Sequence, residues 1–518
     1  MSPPPIRPIR KVLIANRGEI TVRILRALRE LGIRGAVVYS EPDRDALPVL
    51  LADEAYPIGP APSRESYLRG EAIATLAREI GADAVHPGYG FLAENADFAH
   101  ACREAGVVFI GPPPDAIAVM GSKVESRRRM IEAGVPVVPG GKDPLPELED
   151  ARAAAEEIGY PVMLKAAAGG GGKGMRRVDS EGDLASAYRA ARSEAAASFG
   201  DDSVYLEKYV VEPRHVEIQV LGDEHGRVVS LGERECSLQR RHQKVVEEAP
   251  SPVVGTELRR RMGEAAIRAA QAVGYTNAGT VEFLLAKGGS FYFLEMNTRL
   301  QVEHPVTELV TGVDLVEAQI RVAEGHPLGP PFDATDWIEP RGHAIEVRIY
   351  AEDPYRGFAP SPGRIHLLRL PEGPGVRTDC GVAEGGEITI HYDPMVAKLI
   401  VWGRDRERAM ARLGRALGEL RMEGIRTTVP LFQALLADSD FRTGNLDIAM
   451  LDRKLAAGEL RPPEQDGALA DLAILAAALA HEQEARRRAA AAVAPGGRRR
   501  TAWSESGRRE ATGGGPWS

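Results

Sequence analysis

A chain of 518 residues is too long for one hydrophobic core, so two to four domains are expected. Hydrophobic residues make up 44% and charged residues 27%, a globular composition, and the formal net charge of -9 argues against nucleic acid or a membrane surface as the main partner. Three cysteines without metal-ligand or disulfide spacing, a basic N-terminus without an apolar signal core and no membrane-length apolar run predict a cytoplasmic protein.

In chain order, residues 11–15 predict a buried strand, and 18–31 a helix with Ile20, Ile24, Leu28 and Leu31 on one face. Further strands are predicted at 36–39, 84–86 and 107–110. Strands alternating with helices imply a parallel, doubly wound sheet, closed by Gly111 and the prolines after it. A second segment, from about 115 to about 325, carries a polyglycine loop and two strands bearing carboxylates. Proline-rich 327–340 reads as a linker. The third segment, roughly 342–455, holds short strands and a helix around 406–420. Beyond 462 the composition shifts. Residues 466–493 are alanine-rich, with Ala468, Leu472, Leu475 and Leu479 at helical spacing, and 496–500 and 513–515 read as flexible.

Three constellations carry chemistry. The loop Gly169 to Gly174 follows an apolar strand ending in Lys165. Its backbone amides can approach phosphate oxygens, and Lys165 can add a cation to them. It is not a Walker loop, since Met175 stands where that motif would need lysine followed by serine or threonine. Next, residues 280–285 and 291–297 predict a hairpin turning at 287–290. Glu295 and Asn297 share a face, and Glu282 can join them, giving hard oxygen ligands for magnesium with nucleotide phosphates. Finally, if 298–305 runs extended, Arg299, Gln301 and Glu303 point one way. A cation, an amide and a carboxylate would then surround a small anion such as bicarbonate, with positive charge added by 240–244.

Taken together, these residues resemble the biotin carboxylases of the ATP-grasp superfamily. The resemblance runs from about 9 to about 455 through residues 14–20, 86–92, 240–244, 295–305, 342–348 and 392–395. It implies an α/β (α+β) architecture: a Rossmann-like N-terminal domain at 1–120, an ATP-grasp domain at 121–330 with a mobile lid at about 138–209, a mixed C-terminal domain at 340–456, and a helical or flexible tail at 457–518. By the same resemblance, ATP is bound by Lys123, Lys165, Gly170, Gly171, Gly172, Gly174, Glu207, Lys208, His215, Gln239 and His242, with Glu282 and Glu295. Magnesium, or manganese in its place, falls to Glu282, Glu295 and Asn297. Bicarbonate falls to Lys244, Arg299, Gln301, Val302 and Glu303, and biotin to Tyr89 and Arg348.

The implied reaction is ATP-dependent carboxylation of biotin through carboxyphosphate, the first half-reaction of acetyl-CoA or acyl-CoA carboxylase in fatty acid biosynthesis. Glu303 would take the bicarbonate proton, Lys244 and Arg299 would hold the anion, and Arg348 would stabilise the biotin oxyanion. Departures are small: Lys173 stands where arginine is common, and 447–449 differ near the adenine pocket. The chain lacks the biotinylated Met-Lys-Met of carrier domains, so biotin is expected on a separate carboxyl carrier protein or on a segment outside this sequence. Carboxyltransferase subunits and a homodimer are the other expected partners. A truncated or stand-alone α-subunit of propionyl-, methylcrotonyl- or pyruvate carboxylase is the alternative. Rival readings are another ATP-grasp enzyme or a nucleotide-binding scaffold. The first shares the nucleotide site but not Arg299, Gln301 and Glu303 together with Arg348.

Overall fold

The computed structural model describes residues 6–141, 144–166, 175–199, 201–241, 243–332, 336–461, 475–483 and 486. They fall in two compact units, 1–462 and 463–518.

In the larger unit, the first layer is a parallel sheet. Its order is Glu54–Gly59, Arg34–Ser40, Lys11–Ile14, Ala84–His86, Val108–Phe109, with the first strand of the chain central. Val12, Leu13 and Ile14 are buried on both faces, as a strand covered by helices on either side requires. The helix Gly18–Glu30 covers one face through Ile20, Ile24 and Leu28. The edge strand Glu54–Gly59 was not read from the sequence, because its burial is patchy and Pro57 interrupts it.

A three-stranded antiparallel sheet, Met175–Val178, Val162–Ala166 and Val204–Lys208, forms with helices Leu148–Ile158 and Glu181–Phe199 a small lobe with its own core, including Val162, Leu164, Leu184 and Leu206.

The third layer is an eight-stranded antiparallel sheet that ignores the expected linker. Its order is Phe291–Asn297, Asn277–Leu285, Arg214–Gly222, Val228–Arg240, Gln243–Ala249, His343–Tyr350, Met395–Gly403, Val376–Cys380. Gln243–Ala249 pairs directly with His343–Tyr350, so the proline-rich stretch between 327 and 340 connects two parts of one sheet. Residues 333–335 of that stretch lie outside the described residues. Among the described residues no helix is long and apolar enough to cross a membrane.

In the smaller unit, residues 475–483 are helical, and the remainder of the expected 466–493 helix lies outside the described residues apart from helical 486.

Candidate active site

Strand alternation builds the site. In Arg214–Gly222, Val216, Ile218 and Val220 enter the core, while His215, Glu217 and Gln219 face the opposite way and are buried there too. The hairpin predicted at 280–297 forms, and its register sets Glu282 opposite Glu295. Asn297 Nδ2 donates to Glu282 at 2.8 Å, Gln301 Nε2 donates to it at 3.2 Å, and His215 Nε2 lies 2.9 Å from its second oxygen. Gln239 Nε2 lies 3.1 Å from His215 Nδ1.

Lys244 is the hub. Its ammonium donates to Glu217 at 2.5 Å and to Glu282 and Glu303 at 2.7 Å each, so three protons meet three carboxylates. The neighbouring cations go elsewhere. Arg241 sits at the turn with φ +48°, and Arg240 pairs with Glu352 and stacks 3.8 Å from the Phe358 ring. Among the described residues of the expected basic cluster at 240–244, Lys244 alone donates to these carboxylates, because a tight turn throws adjacent side chains apart.

The expectation of an extended 298–305 also needs correction. A turn forms at 302–303, and Glu303 becomes the residue before helix His304–Thr311, whose first turn holds Pro305. Arg299 then contacts Gln301 at 2.7 Å, Asn297 at 3.1 Å and Glu94 at 2.8 Å. Glu303, fully buried, instead joins Lys244 to Arg348, whose guanidinium donates to it at 2.9 Å. Arg348 Nε also donates to Glu247 at 2.7 Å.

These charges set one another. Burial would raise the Glu303 carboxyl, but Lys244, Arg348 and Arg234 outweigh it and hold it well below the usual range. Burial would lower the Lys244 ammonium, and Glu217, Glu282 and Glu303 push it well above instead. Burial pushes Glu247 up to about 7 against the pull of Arg348. Glu295 is raised by loss of water and by the charge of Glu282. Two carboxylates that repel across one strand pair, with an amide beside them, match the donor set a hard divalent cation takes.

Beyond Arg348 opens a cavity of about 530 Å³, lined by Tyr89, Arg299, Val302, Arg348, Tyr392 and Asp393 among others. The sequence stretches 14–20, 86–92 and 392–395 thus meet at one place. Asn16 Nδ2 donates at 2.7 Å to the carbonyls of both Pro87 and Tyr89, which fixes the Tyr89 backbone. Gly88 permits this, with φ +64° and an added Cβ falling 2.8 Å from Asn16 Nδ2. Tyr89 Oη donates to Glu19, and Lys398, wholly buried, pairs with Glu19 at 3.1 Å and donates to the Val302 carbonyl at 2.7 Å.

Of the other expected residues, Lys165 pairs with Glu207 at 2.5 Å on the small lobe. Lys208 turns its ammonium to the carbonyls of Gly159 and Tyr160, at 2.8 and 3.0 Å. Lys123 opens helix Lys123–Glu132, capped by Ser122. Gly170, Gly171, Gly172, Gly174 and His242 lie outside the described residues. Sequence reading missed Glu217, Arg234, Glu247, Glu94 and Lys398. The signal for Glu217 was the alternation His215, Glu217, Gln219, which ordinarily marks a solvated strand face.

Three family descriptions match the chain: "Biotin carboxylase, N-terminal domain" over residues 8–117, "Carbamoyl-phosphate synthase L chain, ATP binding domain" over 122–330, and "Biotin carboxylase C-terminal domain" over 346–453. Biotin carboxylase 2 of Bacillus subtilis is 54% identical over 86% of this chain and 99% of that protein. A pyruvate carboxylase subunit of Methanothermobacter thermautotrophicus is 54% identical over 85% of this chain and 89% of that protein. Among solved structures, the biotin carboxylase domain dimer of Hydrogenobacter thermophilus 2-oxoglutarate carboxylase, in complex with MgADP, ADP and bicarbonate, is 48% identical. The match has a TM-score of 0.77 and covers 88% of this chain and 99% of that one.

Proposed function

Because the chain belongs to the biotin carboxylase family, ligases that use ATP to carboxylate biotin, we propose how its residues divide that work. The chain is an ATP-dependent biotin carboxylase. The observation that carries the division is Glu303, which bridges the Lys244 ammonium and the Arg348 guanidinium where the carboxylate cluster meets the cavity.

Bicarbonate binds between Arg299 and Lys244, beside Gln301 and the Val302 backbone. An anion there draws on the cations that hold Glu303 ionised, so Glu303 becomes more basic as bicarbonate arrives. It accepts the bicarbonate proton. The freed oxygen forms a bond to the γ-phosphorus of ATP while the bond to ADP breaks. Magnesium fits Glu282, Glu295 and Asn297 and would supply charge neutralisation on the phosphoryl oxygens. His215, Gln239, Glu207 and Lys208 frame the nucleotide, with Lys123 and Lys165 on its phosphates. Carboxyphosphate decays to carbon dioxide and phosphate, and the phosphate takes the ureido proton of biotin in the cavity beside Tyr89. Arg348 stabilises the resulting oxyanion, and the deprotonated biotin nitrogen bonds to the carbon of carbon dioxide.

The reading includes residues 138–209 as a lid, supported by the lobe's separate core. It includes biotin on a carrier protein, carboxyltransferase partners, a homodimer and a cytoplasmic location, the last supported by three buried, unpaired cysteines. The equal identity to a pyruvate carboxylase subunit supports a second reading of the assembled complex, in which the acceptor is not acetyl-CoA. The acceptor used by co-purified carboxyltransferase separates the two.

Measuring phosphate release and carboxybiotin formation on Glu303→Gln and Arg348→Gln tests the division of roles. The first variant should lose both activities. The second should keep much of its bicarbonate-dependent ATP hydrolysis and lose carboxylation by roughly 10²–10³-fold. Proportional loss of both activities in both variants would refute the separate roles.

A further inference from the structure

Strand His343–Tyr350 alternates Ala344, Glu346 and Arg348 on one face with Ile345 and Val347 on the other. Ile345 and Val347 join the large C-terminal core. Ala344 packs with Ile400 and with Val306 and Val310 of helix His304–Thr311. Glu346 is therefore set on an apolar floor, two residues from Arg348. Directly opposite it across the antiparallel register stands Glu247. Cβ atoms of such opposed residues lie about 4.5–5.5 Å apart.

Glu346 and Glu247 are both fully buried. Neither oxygen of Glu346 meets a hydrogen-bond partner among the described residues, and nor does Oε2 of Glu247. Glu247 Oε1 is committed to Arg348. Two ionised carboxylates side by side, with three oxygens lacking donors, would be strongly unfavourable in such a place. One proton removes the conflict.

We propose that Glu346 is a positioning residue: a neutral carboxylic acid that donates its O–H to Oε2 of Glu247 and holds Glu247 as a charged anchor of Arg348 alongside Glu303. Burial raises the Glu346 carboxyl well above its ordinary value, against Lys398, and the charge of Glu247 adds to the rise. The pair gives up its other proton more readily, since Glu247 is brought only to about 7 by burial opposed by Arg348. Arg348 then faces two ionised carboxylates, Glu247 and Glu303, rather than three, and keeps more of its positive charge for the cavity. The inference rests on Arg348 being the cation that faces biotin.

The decisive measurement is infrared spectroscopy on the full chain slightly above neutral pH, comparing wild type with Glu346→Gln in water and in D2O. The wild type should show a protonated-carboxyl carbonyl band that moves to lower frequency in D2O and vanishes in the variant. Loss of only an ionised-carboxylate band would overturn the proposal. Kinetics adds a second test. Glu346→Met, similar in length and without a donor, should lower carboxylation about 10-fold or more, with a smaller fall in bicarbonate-dependent ATP hydrolysis. Glu346→Gln, whose amide can donate to Glu247, should recover most of that loss. Equal losses in the two variants would also overturn it. A wild type that fails to carboxylate biotin would sink the functional reading instead, and the infrared result would still decide the state of Glu346.

Discussion

Arg234 has no exposed side-chain surface, and its guanidinium donates to Glu217 at 2.5 Å, Gln219 at 2.7 Å, Thr307 at 2.9 Å and Thr280 at 3.0 Å. It ties strands Arg214–Gly222 and Asn277–Leu285 to helix His304–Thr311 behind Lys244. Arg234→Met should cost roughly 3–5 kcal/mol in urea unfolding, because Glu217 loses one of its two buried cations. Glu248 gives a pH-dependent case. Burial would raise its carboxyl, but His343 at 2.7 Å and Arg406 at 2.7 Å outweigh that and hold it below its ordinary value. Its folded value lies under its unfolded one, so its contribution is complete above the unfolded carboxylate range and is lost as pH falls toward the folded value. Denaturation across pH should show wild-type stability falling more steeply below about pH 4.3 than that of Glu248→Gln. Single residues were legible where the motif was dense: Glu295 and Asn297 were read on one face with Glu282 able to join them, and the register sets Glu282 beside both. Glu217, Glu247 and Arg234 were not, since only the packing of a second layer shows that a polar strand face is buried.

At the level of elements, the hairpin and its turn were legible because Lys287, Gly288, Gly289 and Ser290 interrupt two apolar runs. The turn at 302–303 was not, since the short stretch before Pro305 fits an extended strand equally well. Gly140 marks the junction of the small lobe. It has φ +145°, and an added Cβ would fall 2.4 Å from the Leu206 carbonyl and 2.7 Å from Glu207 Cα. Gly140→Ala should therefore displace Glu207 and raise KM for ATP several-fold, with a stability loss of about 1–3 kcal/mol. Steady-state kinetics at varied ATP checks this. If the lobe closes on nucleotide, amides in 144–166 and 175–199 should gain protection from hydrogen exchange when an ATP analogue is added, and those of the parallel sheet should not. Unchanged exchange in the lobe would exclude closure.

For the whole molecule, the alternation of strands and helices made the first sheet legible, but nothing local announced that Gln243–Ala249 and His343–Tyr350 pair across almost a hundred residues. That pairing brings Glu247 to Arg348, so half of the site was hidden with it. The reach of the C-terminal core was hidden as well. Leu460 is 4% exposed within it, so the core runs beyond the expected boundary at 456. A chain ending after Pro462 should keep free-biotin carboxylation, whereas one ending after Gly458 should lose about 2–4 kcal/mol of stability by exposing core side chains. Thermal unfolding with paired activity assays distinguishes them. The three cysteines carry a practical consequence. All are buried, and burial pushes Cys102 up to about 12, Cys380 up to about 11 and Cys236 well above its ordinary value. Thiolate, the species that reacts with alkylating dyes, is therefore scarce throughout the native fold. A maleimide fluorophore should ignore the native chain, so a cysteine introduced at Ile390, which is 76% exposed, would be labelled alone and report by its emission on what enters the neighbouring cavity.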